Sequence, residues 1–460
     1  MTVKSSQNEI DTIHADRRVW RIGLLALAVA IRGGLLWGET DRLQADPDSY
    51  RQLALAVQDH GVFGYPAGPT DSSEGQTIRP TAYRPPLYPL VLTMVGWGTH
   101  VSPGSVAILH LLLGVATVDL IYVLGRRWAS ETSGLLAAVL VAADPILLSQ
   151  SVLVMTETLA TFLAVVGLCF LGRLGRDDAR NGTGDPLSAG LAGGTLALAT
   201  LCRPTFLLGL AAVWIVLLCR AWSRQRRLWE PAAFLVLPLL VLLPWALRNQ
   251  ACLGRPVLTT THGGYTLWLA NNEDYYQFLA TSRWGDVWDS RDLDRAYSQV
   301  REELHDELQA DRWARLQAWA TIRRHPGTFA SACLVRLGSL WGLIPHQVAD
   351  HESSARRWLR YAVGIWYAGV FLLAVAGLWT LGRQAWRPPW LWGLLLVAAF
   401  SAAHTVYWTN LRMRAPLMPV VCLLAAVATV AEITSRFPAR AKGAAPGTNR
   451  VARMAKPGHG

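Results

Sequence analysis

Ten apolar runs, separated by breaks that carry most of the charge, constrain this chain more than any other feature. They fall near residues 20–37, 104–124, 133–148, 150–171, 187–201, 204–218, 230–247, 358–381, 389–407 and 413–433. A helix needs about 20 apolar residues to cross a bilayer, and several runs are shorter, so their ends are set only to within several residues. By length, 460 residues could hold two or three soluble domains. Composition argues otherwise: 52% of the residues are hydrophobic and only 16% charged, with a mean hydropathy of +0.24. The expected fold class is therefore an all-α polytopic membrane protein with about ten transmembrane helices.

Ten crossings put both termini on one side, and the basic residues decide which. Arg17 and Arg18 precede the first run and Arg21 lies at its very start. Arg126 and Arg127, Arg173, Arg176 and Arg180, Arg220, Arg224, Arg226 and Arg227, and Arg383 and Arg387 all fall in loops on that same side. The tail adds Arg436, Arg440, Lys442, Arg450, Arg453 and Lys456. The positive-inside rule places both termini in the cytoplasm. The net charge of +11 is therefore topological, and no nucleic-acid partner is implied. Gly38, Glu39 and Thr40 after the first run offer no small-residue cleavage site, so that run reads as an uncleaved anchor.

The expected division is a cytoplasmic segment at 1–18, a transmembrane core at 19–247 whose first exterior loop is 39–103, an exterior segment at 248–357, transmembrane helices at 358–433, and a basic tail at 434–460 whose Gly, Pro and Ala content predicts disorder. The exterior segment is too long for a simple connector. Its stretch 291–324 has a charged helical pattern, and 325–345 reads as an interfacial helix, because a crossing there would reverse the basic-loop pattern. Of six cysteines, only Cys252 and Cys333 fall in the expected exterior, which leaves a disulfide between them open.

The first exterior loop opens with Asp46 and Asp48 and closes with Arg84-Pro85-Pro86. Between them Tyr50, Leu53, Ala54 and Val57 have the i, i+3, i+4, i+7 spacing of an amphipathic helix, with Asp48 or Ser49 as its N-cap. Asp-Pro-Asp-Ser is also ordinary turn and helix-start chemistry, so capping and catalysis both stay open here.

Several stretches together resemble a known family. They are the acid pair with Tyr50 and LALA, then GVFGY at 61–65, RPPLYPLVL at 84–92, LVMTETLATFL around Glu157, ATLCRPT around Arg203, the stretch 243–272, and LRMRAPLMPVVCLLAA at 411–426. In this order they resemble the family 39-like glycosyltransferases of the GT-C superfamily, related to protein O-mannosyltransferases and lipid A aminoarabinose transferases. The resemblance implies an inverting transferase. An acid of the first exterior loop activates the acceptor, and a polyprenyl phosphate leaves the sugar. It further implies a periplasmic site on the inner membrane of a bacterium. The partners would be a polyprenyl-phosphate sugar donor, membrane lipid, and a protein, lipid or glycan acceptor.

Residue by residue, the resemblance makes Asp46 the general base, four residues before Tyr50. Relatives often carry Asp-Glu where this chain has Asp-Pro-Asp, so Asp48 competes. Arg84 matches the basic residue that approaches the donor phosphate in relatives; a lipid headgroup is its alternative partner. Arg203, Arg248, Arg412 and Arg414, at the outer ends of runs, could face the same phosphate or snorkel to the interface. Arg32, inside the first run, carries the same ambiguity. Tyr50, Tyr88, Glu157, His262, Asn271 and Asn272 would line the pocket. For Glu157 an ion pair with Arg203 is the structural alternative, and for His262 a glycine-permitted turn. No metal-ligand spacing is present, and no cofactor is certain. A divalent metal shared by Asp46 and Asp48 stays open. Two other classes remain: a lipid-linked sugar flippase or transporter, which calls for midplane charges and broken helices in matched halves, and an oligosaccharide ligase or polymerase of another membrane family, which the long exterior segment would suit.

Overall fold

Every apolar run is helical in the computed structural model, which describes residues 2–66, 77–96, 100–174, 185–223, 228–283, 286–346 and 352–436. The basic tail from residue 437 on, Arg176, Arg180, Arg224, Arg226, Arg227 and parts of the first exterior loop lie outside the described residues.

The first half runs from α1 (Thr2–Gly38) through a loop containing α2 (Tyr50–His60) and α3 (Leu87–Val95). It continues with α4 (Pro103–Trp128), α5 (Glu131–Ala142), α6 (Pro145–Ser151), α7 (Glu157–Leu171), α8 (Pro186–Cys202), α9 (Phe206–Ser223) and α10 (Trp229–Leu253). The segment that follows folds as α11 (Gly263–Ala270), α12 (Glu273–Thr281), α13 (Arg291–Leu304), α14 (Glu307–Arg324) and α15 (Pro326–Leu340). The chain closes on α16 (Ser354–Leu381), α17 (Trp390–Val406) and α18 (Met418–Arg436).

Six of these helices are long and apolar enough to cross a membrane: residues 18–38 of α1, then α4, α9, α10, α16 and α18, the last two each extended by a 3-10 turn. The pair α5–α6 makes a seventh candidate, bent by 49°. The remaining runs, α7, α8 and α17, are apolar but shorter. Ten runs therefore yield six or seven spans on length and composition. The fold is not purely helical either: β1 (Gly64–Pro66) and β2 (Ile78–Pro80) pair antiparallel inside the first loop, Gly64 opposite Pro80.

Local chemistry explains the break between α5 and α6. Proline lacks the N–H that would bond back into a preceding helical turn and is favoured in a helix's first turn, and Pro145 is the first residue of α6. Asp144 starts the new helix by accepting from Leu147 N at 3.0 Å. Tyr367 of α16 donates its hydroxyl to the same oxygen at 3.0 Å, so the buried acid is held from two sides. Elsewhere small residues let backbones meet. A Cβ on Gly193 of α8 would collide with the carbonyl oxygen of Phe234 on α10. One contiguous apolar core joins the span helices, and two smaller aromatic clusters sit under the segment between α10 and α16.

That segment rests on the first loop. Glu307 accepts from Ala82 N at 2.8 Å, and Thr261 N donates to Ala82 O at 3.0 Å. The charged stretch is two helices, α13 and α14, broken where His305 takes a positive φ of 51° and Asp306 caps α14 through Leu308 N at 2.8 Å. The stretch expected to be interfacial, α15, lies beside the end of α17, with Trp341 Nε1 donating to Ser401 Oγ at 3.1 Å. Cys252 and Cys333 are both free thiols.

Candidate active site

The loop leaving α1 turns at Asp46-Pro47-Asp48 and enters α2 through Ser49, whose φ of 57° is left-handed. Neither Asp48 nor Ser49 caps that helix with its side chain. Asp46 does so from further back: its Oδ2 accepts from Gln52 N at 3.0 Å. Its Oδ1 is buried and has no hydrogen-bond partner among the described residues. Burial pushes the Asp46 pKa up, against the opposing pull of the helix N–H groups. Two residues on, Asp48 is already committed, since its Oδ1 lies 2.9 Å from Arg84 Nη2. Among the described residues no three His, Cys, Asp or Glu side chains gather in a metal-binding group. The two aspartates are drawn apart, one to a helix N-terminus and one to a guanidinium.

Tyr50 joins this pair to a second one. Its ring is buried, meets Tyr88 edge-on at 5.4 Å, and has the Arg84 guanidinium 5.9 Å from its centre. Burial pushes the hydroxyl pKa of Tyr50 up, and it feels the charges of Asp48, Arg84, Glu157 and Arg203. Tyr88 is 0% exposed and hydrogen-bonds His110 Nε2 at 2.9 Å, while His110 Nδ1 meets Ser151 O at 2.7 Å. Tyr88 thus backs the site rather than lining open space.

Glu157, only 1% exposed, begins α7. Its Oε1 lies 2.8 Å from Arg203 Nη1 and 3.7 Å from Arg412 Nε. Arg203 ends α8 and also donates to Thr156 Oγ1 at 3.3 Å. Both the ion pair and a place beside the first loop are therefore present at Glu157.

The other two arginines are spent on backbone. Arg248 donates from Nη1 to Thr81 O at 2.8 Å and from Nη2 to Phe63 O at 2.6 Å, clamping the ends of the β-hairpin to α10. Arg414 is 0% exposed, donates to Leu340 O at 2.9 Å and to Gly342 O, and lies over the Tyr367 ring at 4.5 Å.

Past α10, His262 packs edge-on against Tyr83 at 4.5 Å. Burial, with Arg84 and Arg301 near, pushes its pKa well below the usual value, so the ring is neutral. Asn271 and Asn272 are buried in local structure. Asn271 Nδ2 donates to Leu267 O and Val406 O at 2.8 and 3.0 Å, and Asn272 caps α12 through Tyr275 N at 2.8 Å. One neighbour had no signal in the sequence. Arg301, in the polar pattern of α13, lies 4.3 Å over the Tyr83 ring, beside Arg84.

A family model described as dolichyl-phosphate-mannose-protein mannosyltransferase matches residues 86–253. No curated protein matches the chain. Among solved structures, the fold is similar to the archaeal oligosaccharyltransferase AglB from Archaeoglobus fulgidus, in complex with an inhibitory peptide and a dolichol-phosphate. The TM-score is 0.52 at 15% identity, over 95% of this chain and 53% of that one. It is also similar to ArnT from Cupriavidus metallidurans in the apo state, with a TM-score of 0.50 at 14% identity over 92% of this chain and 61% of that one. The chain thus spans between half and two thirds of these neighbours' length, and the likeness is one of fold. The residues matched by the family model carry Tyr88, Glu157, Arg203 and Arg248.

Proposed function

We propose that the protein is an inverting glycosyltransferase that moves a sugar from a polyprenyl-phosphate carrier to an acceptor hydroxyl or amine. It would act at the exterior face of a bacterial inner membrane, with ten crossings once α7, α8 and α17 are counted with the bent pair. The observation that carries this reading is the convergence of an uncommitted aspartate oxygen, Asp46 Oδ1, with two arginine clusters around Tyr50. Asp46 takes the acceptor proton, the acceptor atom attacks the anomeric carbon from the face opposite the phosphate, and the C–O bond to phosphate breaks with its electron pair leaving on the phosphate. Phosphate needs positive charge more than a proton as it departs. Arg84, Arg203 and Arg412 supply it, Arg84 exchanging Asp48 for the donor. The solved AglB complex holds a dolichol-phosphate, which suits a lipid-phosphate carrier here; the acceptor classes that fit are protein, lipid and glycan.

The test is turnover by the full chain in proteoliposomes offered a panel of polyprenyl-phosphate sugars. Wild type should consume one of them, and Asp46→Asn should lose at least about a hundredfold in kcat/KM, with insertion intact. Loss in Asp48→Asn alone would move the base to Asp48. One observation keeps a second reading in view: the bent α5–α6 pair, with buried Asp144 and Arg32, is what a lipid-linked sugar flippase would carry. Vesicles that move lipid-linked sugar without consuming it would favour that reading.

A further inference from the structure

Arg32 lies within the apolar run of α1 and is 2% exposed. Gly114 of α4 makes its room, since a Cβ there would stand 2.9 Å from Arg32 Cδ and Nη1. Arg32 Nη2 donates to Val141 O at 3.2 Å, but Nε has no hydrogen-bond partner among the described residues. A guanidinium in a span is costly unless its N–H groups are met.

Arg32 lines a half-open cavity together with Thr117, Gln150, Glu157, Thr158 and Thr161. Gln150 Oε1, Thr158 Oγ1 and Glu157 Oε2 also lack hydrogen-bond partners among the described residues, and all three side chains are more than nine-tenths buried. The break at Asp144-Pro145 gathers them, because the short α6 brings Gln150 and then Glu157 round to face α1. The orphaned atoms are of both kinds: N–H and O–H donors from Arg32 and Thr158, acceptor oxygens from Gln150 and Glu157. A phosphate only accepts, and a cation would meet Arg32. The complement is a molecule that donates and accepts, in a space that holds about one water.

We infer that this cavity binds an ordered water that accepts from Arg32 Nε–H and the Thr158 hydroxyl and donates to Glu157 and Gln150, making Arg32 and Thr158 positioning residues for Glu157. A water bridge of this kind is nearly as favourable as a direct hydrogen bond. Glu157 in turn holds Arg203 and Arg412. The consequence for donor binding rests on the proposed transferase reading; the water site itself does not.

Two variants test it in the full chain. Thr158→Val removes one hydroxyl at constant shape, and Arg32→Lys keeps the charge but loses Nε. An electron cryo-microscopy map that resolves ordered waters should show density within hydrogen-bond reach of Arg32, Gln150 and Thr158 in wild type, and lose it in Thr158→Val. Inhibition of transfer by added polyprenyl phosphate should weaken about three- to tenfold in both variants, with donor KM moving more than kcat and the thermal midpoint of Thr158→Val unchanged. A dry cavity in the wild-type map overturns the inference. So does an unchanged inhibition constant accompanied by a lowered thermal midpoint, since Arg32 would then serve packing alone. If the wild-type map shows the water but no polyprenyl-phosphate sugar is consumed, the water site stands and the transferase reading falls.

Discussion

Asp46 and Asp48 are separated by one proline yet meet different chemistry. Asp48 is held by Arg84 at 2.9 Å. Asp46 gives one oxygen to the start of α2 and keeps the other free. The difference predicts a pH dependence. A general base works only when ionised, so transfer is lost as pH falls through its pKa. Burial raises the pKa of Asp46, so the acid limb of kcat/KM should lie above 3.8, the ordinary aspartate value. A limb at or below that value, in rates measured at constant ionic strength, would exclude Asp46 as the base. At this scale the sequence was partly legible. Asp46 and Arg84 frame the first exterior loop, Glu157 is a charge inside an apolar run and Arg203 one between two runs, which is how these four could be read. Whether an arginine is free could not be read. Arg248 and Arg414 are consumed by the carbonyls of Phe63, Thr81, Leu340 and Gly342, partners about 70 to 190 positions away that no local pattern announces.

Helix ends explain the most heavily committed of these arginines. The last carbonyls of a helix have no partner within it, and α15 ends against α17, where Leu340 O and Gly342 O are met by Arg414. Arg414 is thus a cap supplied by a distant element, with Tyr367 beneath it. Arg414→Met should therefore destabilise the folded protein by about 2–5 kcal/mol, one to two unsatisfied carbonyls plus lost cation–π contact, read as a lowered thermal midpoint in detergent. Arg412→Met, whose side chain is about one third exposed, should cost little stability and act on donor use. Equal midpoints for the two variants would remove the capping role. Apolar runs located every span helix because a membrane helix needs only hydrophobicity and length. They missed the β-hairpin, whose three-residue strands are too short for a period-2 pattern, and the turn at Asp144-Pro145, which lies inside the run at 133–148 and is read through.

For the molecule as a whole, orientation decides whether the site faces the carrier's sugar, and two native thiols can test it. Cys219 sits near the end of α9, next to Arg220, and Cys252 near the end of α10, four residues past Arg248; both are exposed. If α9 and α10 each cross the membrane, as their length and composition allow, these two cysteines, at the ends of successive crossings, mark opposite faces. On the proposed orientation Cys219 lies with Arg220 on the cytoplasmic side, and Cys252 lies on the opposite side with Arg248, the β-hairpin it clamps and Asp46. A membrane-impermeant maleimide added to intact spheroplasts should label Cys252 and not Cys219, and permeabilisation should expose Cys219. Single-cysteine variants assign the two signals. The reverse pattern would turn the Asp46 loop toward the cytoplasm, where a nucleotide sugar rather than a lipid-linked one would be at hand. The arginine clusters would then have to be understood against a different phosphate.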